Sequence, residues 1–72
     1  MHYTYVLKLD NGNFYIGYTD NIERRTKEHQ KVWKFDLLYY EAYNSAKLAR
    51  GREQKLKYYG SAWRGLKRRI SA

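Results

Sequence analysis

The sequence predicts an α+β fold, a small three-stranded antiparallel sheet flanked by helices in the order ββαβαα. Two segments rich in β-branched and aromatic residues flank the turn signal Asp10-Asn11-Gly12, and a third such segment comes later. Helix-capping signals stand between and after these segments. Because no linker, repeat or low-complexity stretch divides the 72 residues, we expect one domain spanning 1–72.

The three strands are predicted from their composition. Residues 2–9, His-Tyr-Thr-Tyr-Val-Leu-Lys-Leu, suit a strand, and residues 13–18, Asn-Phe-Tyr-Ile-Gly-Tyr, read as its hairpin partner. Residues 35–43 are too apolar and aromatic for a loop, which predicts the third strand.

Capping residues predict where the helices begin and end. Asp20 is expected to cap the first helix, with Glu23 completing a capping box, and this helix ends near Gln30. Ser45 is expected to cap a second helix that runs to about residue 59 and stops at Gly60.

A short basic helix is predicted over residues 62–70. Its apolar residues Trp63, Leu66 and Ile70 recur at helical spacing, so they fall on one side.

Positive charge is concentrated in the second half of the chain. Residues 1–41 hold six Lys/Arg and six Asp/Glu, so the net charge of +8 comes from residues 42–72, where Glu53 is the one acid. Such clustering favours a polyanion, and we expect nucleic acid, with DNA the first candidate. A solvated helical surface is the alternative. The candidate nucleic-acid-binding residues are Lys47, Arg50, Lys57, Arg64, Lys67 and Arg68.

Composition excludes several classes of protein. With no cysteine, disulfides and thiolate metal sites are ruled out, and two histidines cannot build a zinc site without carboxylates. No apolar run approaches membrane-spanning length and no signal peptide is visible, so we expect a cytoplasmic protein without membrane contact.

The second helix carries an acid on its apolar face. Ala46, Ala49 and Leu56 share one stripe, and Glu53 falls inside it. A carboxylate turned toward a core requires a cation. Either a structural ion pair with Lys or Arg, or a divalent metal held with waters and substrate phosphate, satisfies it.

The first helix places Arg25 and His29 four residues apart, and so on the same face. A guanidinium beside an imidazole suits a phosphate, the first as a clamp and the second as a donor or base. An exposed charged helix face is the alternative.

The hairpin register decides whether Tyr5 and Tyr15 meet. A two-residue turn would place the two phenols on opposite faces of the sheet. A three-residue loop with left-handed Gly12 would place Gly17 opposite Tyr5 and both phenols on one face, leaving room for substrate. Ordinary cross-strand aromatic packing is the structural alternative.

Together these residues resemble the GIY-YIG nuclease superfamily, in particular its small stand-alone branch similar to the endonuclease domain of the ABC excinuclease. The resemblance covers nearly the whole chain. The matching segments are Tyr3-Thr4-Tyr5, Tyr15-Ile16-Gly17-Tyr18-Thr19, Arg25 with His29, and Glu53 within Arg52-Glu53-Gln54-Lys55.

The resemblance implies a metal-dependent endonuclease that uses Mg²⁺ or Mn²⁺. It implies catalytic roles for Tyr5, Tyr15, Arg25 and His29, with Glu53 both catalytic and the metal ligand. Gly17 matches the glycine of the second motif. The chemistry agrees, because phosphodiester hydrolysis needs fixed positive charge and a base, and a phenol serves as base once nearby cations lower its pKa. Tyr5 is favoured slightly over Tyr15 as that base.

The sequence departs from the family pattern in its first motif, which reads Tyr3-Thr4-Tyr5 in place of Gly-Ile-Tyr, and in lacking an asparagine after Asn44. A non-catalytic basic nucleic-acid-binding module is the main rival function, and a protein-binding module is the third. Within 1–72 no second domain reads sequence, so a partner protein or an oligomer would supply base-specific recognition.

Overall fold

In the computed structural model, which describes residues 1–70, the predicted order ββαβαα is confirmed. The elements are β1 (His2–Leu9), β2 (Phe14–Thr19), α1 (Ile22–Gln30), β3 (Phe35–Tyr43), α2 (Ala46–Tyr58) and α3 (Gly60–Ile70). The strands form one antiparallel sheet in the spatial order β2-β1-β3, so the first strand is central. No helix within residues 1–70 is both long and apolar enough to cross a membrane.

The hydrophobic core lies between one face of the sheet and helices α2 and α3. Val6, Leu56 and Leu66 are its fully buried members. A register shift between β1 and β3 leaves Leu38 without a partner on β1, which is a β-bulge, and both Leu38 and Tyr39 pack against this core. The remaining partly buried side chains around it are Phe14, Ile16, Ala62, Trp63 and Ile70.

Two polar contacts fix α2 against the sheet. The buried Thr4 Oγ1 donates to the Ala49 carbonyl at 2.6 Å, and the Arg52 guanidinium pairs with Glu41 at 3.1 Å. Tyr39 and Tyr43 also donate to the Glu41 carboxylate. Burial alone would raise the pKa of Glu41, but these hydrogen bonds outweigh burial and hold its pKa below the ordinary value.

The helix boundaries differ from the sequence predictions at two places. Asn21, not Asp20, caps α1, because its side chain accepts from the Arg24 N–H at 3.0 Å while Asp20 pairs with the Arg24 guanidinium. This cap replaces the box predicted with Glu23.

The second difference is at Gly60, which opens α3 instead of ending α2. The extended backbone of Tyr59 separates the two helices, and the Tyr59 carbonyl accepts from Ala62 and Trp63 at the start of α3. No left-handed glycine is therefore needed, and among the glycines of residues 1–70 only Gly12 has a positive φ.

Candidate active site

The hairpin adopts the register that brings the two tyrosines to one face. Gly12 has φ of +89°, and the Leu9 N–H donates to the Asn13 carbonyl across a three-residue loop. Tyr5 is consequently paired with Gly17, and Leu7 with Tyr15. The rings of Tyr5 and Tyr15 lie with their centroids 6.3 Å apart. The three-residue alternative is thus confirmed.

Gly17 makes room for the Tyr5 ring and not, as expected from the sequence, for substrate. A β-carbon added at Gly17 would overlap the Cζ and Oη atoms of Tyr5. Tyr5 therefore leans over β2 with its ring against the bare backbone, and only 1% of the residue is exposed. The glycine determines where the phenol hydroxyl lies.

We expect Gly17→Ala to destabilise the protein by about 1–3 kcal/mol, the usual cost of overpacking a filled site. The added methyl group must displace a ring that is buried and hydrogen-bonded. Urea denaturation followed by circular dichroism measures the change.

Gly51→Ala is the matched control, because Gly51 lies within α2 and nothing would stand within 4 Å of its new β-carbon. This substitution should be neutral or stabilise by up to about 1 kcal/mol, since alanine favours helix. Equal unfolding midpoints for the two variants would contradict the tight packing at Gly17.

Helix α1 brings Arg25 and His29 to the Tyr5 hydroxyl. The Arg25 Nε donates to Tyr5 Oη at 3.4 Å, and Tyr5 Oη lies 3.0 Å from His29 Nε2. Because arginine only donates, the phenol hydrogen is not used toward Arg25, and the Nδ1–H tautomer of neutral His29 can accept it at Nε2. The three side chains form a directed chain of hydrogen bonds from Arg25 through Tyr5 to His29.

The pKa shifts within this chain agree with that direction. Burial and then the nearby Arg25 charge lower the pKa of His29, which favours the neutral, accepting imidazole. Burial raises the pKa of Tyr5, and the hydrogen bond and charge of Arg25 offset this only in part. Arg25 thus lowers the pKa of Tyr5, as expected from the sequence, but desolvation of the phenolate by burial is the larger effect.

An aromatic enclosure surrounds His29. Trp33 stacks on the imidazole with a centroid separation of 5.0 Å and an interplanar angle of 11°, while Tyr15 and Phe35 meet it edge to face. Sequence reasoning missed Trp33, which lies in the connection between α1 and β3. Its position four residues after His29 is the signal that could have found it, because the Trp33 N–H still donates to the His29 carbonyl as in a continuing helical turn.

Glu53 lies on α2, the helix that packs against β1 and β2. Its Oε2 accepts from Lys57 Nζ at 3.0 Å, which is the ion pair that the sequence left open as one alternative. Burial is the main cause of the raised pKa of Tyr5, and the negative charge of Glu53 makes the smallest contribution. Within residues 1–70 no group of three or more His, Cys, Asp or Glu side chains could together hold a metal ion.

The candidate nucleic-acid-binding residues occupy different surroundings. Lys57 is engaged by Glu53, Arg50 lies over the Tyr18 ring at 4.9 Å, and Lys67 lies over the Phe14 ring at 5.2 Å. Lys47 lines a depression beside Tyr43. The two remaining residues, Arg64 and Arg68, are exposed on α3. The basic side chains therefore belong to several surfaces.

The site combines three features. Two phenols lie on one face of the hairpin, an arginine and a histidine lie one helical turn apart on α1, and a glutamate lies on α2. These features are the ones that the sequence shares with the GIY-YIG nucleases. The GIY-YIG catalytic domain family matches residues 1–57. The chain belongs to the GIY-YIG family, which is a nuclease family.

Several UPF0213 proteins are similar to this chain. One from Haloquadratum walsbyi is 30% identical and is aligned over 81% of this chain and 75% of its own length. One from Natronomonas pharaonis is 35% identical, with coverage of 78% and 76%. The solution NMR structure of a UPF0213 protein from Bacillus halodurans covers 96% of this chain and 85% of its own, with a TM-score of 0.64 at 28% identity.

Proposed function

We propose that this protein is a divalent-metal-dependent endonuclease that hydrolyses phosphodiester bonds in nucleic acid, with DNA as its first candidate substrate. The observation that carries the proposal is the hydrogen-bonded chain from Arg25 through Tyr5 to His29, because it joins a phosphate clamp to a proton path. The family match and the basic second half of the chain support it.

Arg25 binds the scissile phosphate. Its Nη1 meets Glu28 Oε2 at 3.2 Å in the free protein, and both side chains are substantially exposed. An exposed pair of this kind is worth about 1 kcal/mol or less, so a phosphate displaces Glu28 readily. The hydrogen bond to Tyr5 raises the pKa of Arg25 and keeps its Nε directed at the phenol, so the phosphate is held beside Tyr5.

Tyr5 and His29 take the proton from the attacking water. As the water oxygen bonds to phosphorus, its proton passes to Tyr5 Oη while the phenol proton passes to His29 Nε2. No free phenolate needs to accumulate, so the raised pKa of Tyr5 does not oppose this relay. Tyr15 and Trp33 pack around the imidazole and hold it in place. Cleavage of the bond from phosphorus to the 3′ oxygen gives a 5′-phosphate, and the leaving 3′ oxygen takes a proton from a bound water to become the 3′-hydroxyl. His29 then releases its proton to solvent, which restores the neutral imidazole.

Glu53 would hold the metal ion, and its chemistry fits Mg²⁺ or Mn²⁺. Both ions accept oxygen ligands, and Mg²⁺ keeps several waters when a protein supplies a single carboxylate, as Glu53 does here. The Glu53 side chain is 20% exposed, which leaves access for such a hydrated ion. When bound, the ion neutralises charge on the phosphate and stabilises the leaving alkoxide.

A non-catalytic nucleic-acid-binding module is the second candidate. The ion pair between Lys57 and Glu53 favours it, because that pair already satisfies the carboxylate without a metal. In this alternative the basic residues of α2 and α3 bind phosphates, and the hairpin residues only pack.

We expect the purified protein to nick supercoiled plasmid DNA when Mg²⁺ or Mn²⁺ is present and to lose this activity when a chelator is added. Agarose gel electrophoresis measures conversion to the open circle. Arg25→Ala, prepared identically, controls for a contaminating nuclease, because it removes the clamp and should abolish nicking. Salt-dependent DNA binding without nicking by the unmodified protein in either metal would support the second candidate instead.

A further inference from the structure

A shallow depression lies next to the Tyr5–Arg25–His29 chain and is rich in guanidinium groups. Its lining includes three arginines and one carboxylate, so positive groups outnumber negative ones. Its lining residues are Tyr18, Thr19, Asp20, Arg24, Arg25 and Arg50. Arg25 belongs both to this depression and to the proposed catalytic site, so the other two arginines lie in the same depression as the proposed phosphate clamp.

The three arginines differ in whether an acidic side chain of the protein already pairs with them. Arg24 pairs with Asp20 at 2.8 Å and with Glu28 at 3.5 Å, and Arg25 pairs with Glu28. No carboxylate within residues 1–70 lies within ion-pair distance of Arg50. Arg50 therefore offers a whole positive charge to a ligand without first giving up a partner.

An aromatic platform holds Arg50 in place. Its guanidinium carbon lies 4.9 Å from the centroid of the Tyr18 ring, a cation–π contact. The Tyr18 ring is itself fixed by His2, which stacks on it at 11° and bonds its hydroxyl through Nδ1 at 2.8 Å. A guanidinium stacked in this way loses less rotational freedom when it binds a phosphate.

We propose that Arg50 binds a second phosphate of the substrate strand, adjacent to the phosphate held by Arg25. This inference rests on the proposed function and deepens it, because it assigns a residue to a second phosphate of the strand. The substrate is a nucleic-acid strand with an intact phosphate next to the scissile one. A molecule with a single phosphodiester can contact Arg25 but has no second phosphate for Arg50. Tyr18 is a positioning residue in this arrangement, because it acts by holding the Arg50 guanidinium.

Binding in the absence of metal tests the subsite separately from hydrolysis. Fluorescence anisotropy with a short labelled DNA duplex in EDTA gives the affinity at salt concentrations between roughly 50 and 200 mM. For Arg50→Ala we expect a several-fold loss of affinity. The slope of log affinity against log salt should become shallower by about 0.9, which corresponds to one lost phosphate contact.

Lys34→Ala is the charge-matched control, because Lys34 lines a separate depression beside Lys8, Asp10 and Asp36. Its slope should equal that of the unmodified protein. Tyr18→Leu keeps the charge of Arg50 but removes its platform, so we expect a weaker affinity with an unchanged slope. Equal slopes for Arg50→Ala and Lys34→Ala would overturn the subsite.

A small substrate provides the second readout. In the nuclease assay, Arg50→Ala should raise KM for an oligonucleotide several-fold and by a clearly larger factor than KM for bis(p-nitrophenyl) phosphate, because that diester carries one phosphate. An equal loss on both substrates would contradict the subsite. If nicking is absent altogether while the binding slope still responds to Arg50→Ala, then the nuclease proposal fails and the phosphate subsite stands.

Discussion

Tyr5→Phe is expected to lower the rate of plasmid nicking by about a hundredfold to ten-thousandfold, the range that proton transfer by a positioned side chain contributes. The substitution removes one oxygen and keeps the ring that packs on Gly17. It breaks the path from water to His29 and leaves Arg25 without its contact at Nε. Single-turnover nicking at saturating protein measures the chemical step separately from binding.

Two tyrosines provide matched controls for Tyr5→Phe. Tyr40 is paired with Tyr5 across β1 and β3 but is 52% exposed, so Tyr40→Phe should retain full activity. Tyr15 packs on the imidazole without taking part in the hydrogen-bond chain, so Tyr15→Phe should lose less than Tyr5→Phe. If Tyr15→Phe nicks DNA much more slowly and Tyr5→Phe remains active, then Tyr15 and not Tyr5 is the base.

The pH dependence of nicking reports on the acceptor of the relay. His29 must be neutral to accept the Tyr5 proton, and burial and the Arg25 charge lower its pKa below the ordinary value of 6.5. The nicking rate should therefore rise with pH as His29 loses its proton below pH 6.5. At neutral pH His29 is already neutral, so its titration should no longer change the rate. In His29→Gln this acidic limb should disappear together with most of the activity. A limb that persists in that variant would assign the titration to another group.

The three strands and the hairpin could be predicted because they depend on local signals, namely the composition of each segment and the turn residues between β1 and β2. β-Branched and aromatic residues predict β1, and the loop Asp10–Gly12 admits two registers with opposite consequences for Tyr5 and Tyr15. Only the structure selects between them, through the left-handed Gly12. Local signals also misplaced two boundaries, since Asp20 and Asn21 are both competent caps and Gly60 can end one helix or begin the next.

The surroundings of the site depend on contacts between residues distant in sequence, which spacing does not encode. The overlap of a β-carbon at Gly17 with Tyr5 follows from how the Tyr5 ring leans, and the Arg50 contact with Tyr18 follows from how α2 packs on β2. Motif residues could be named from the sequence because the family pattern fixes their spacing. The side chains that pack around the motif residues, such as Trp33 on His29, could not be named from the sequence.

Glu53→Gln is expected to reduce metal-dependent nicking by about a thousandfold or more, because a catalytic metal supplies several kcal/mol of charge stabilisation and each 1.4 kcal/mol is a factor of ten. The change removes the ligand charge and keeps the shape of the side chain. The pair with Lys57 is part-exposed, at 39% and 20%, and is worth about 1 kcal/mol or less, so folding should survive. Thermal unfolding verifies this before activity is compared.

Lys57→Met separates the two roles that Glu53 can have. If the carboxylate serves only the ion pair, then removal of either partner has the same effect, and the two variants lose activity equally. If it binds the metal, Lys57 competes with the ion for the same oxygens. Lys57→Met should then stay within about tenfold of full activity, because the lost pair is worth about 1 kcal/mol or less. It should also reach half of its maximal rate at a lower Mn²⁺ concentration. Since Glu53→Gln and Lys57→Met change the charge in opposite directions, a general effect of net charge on DNA binding cannot produce both results.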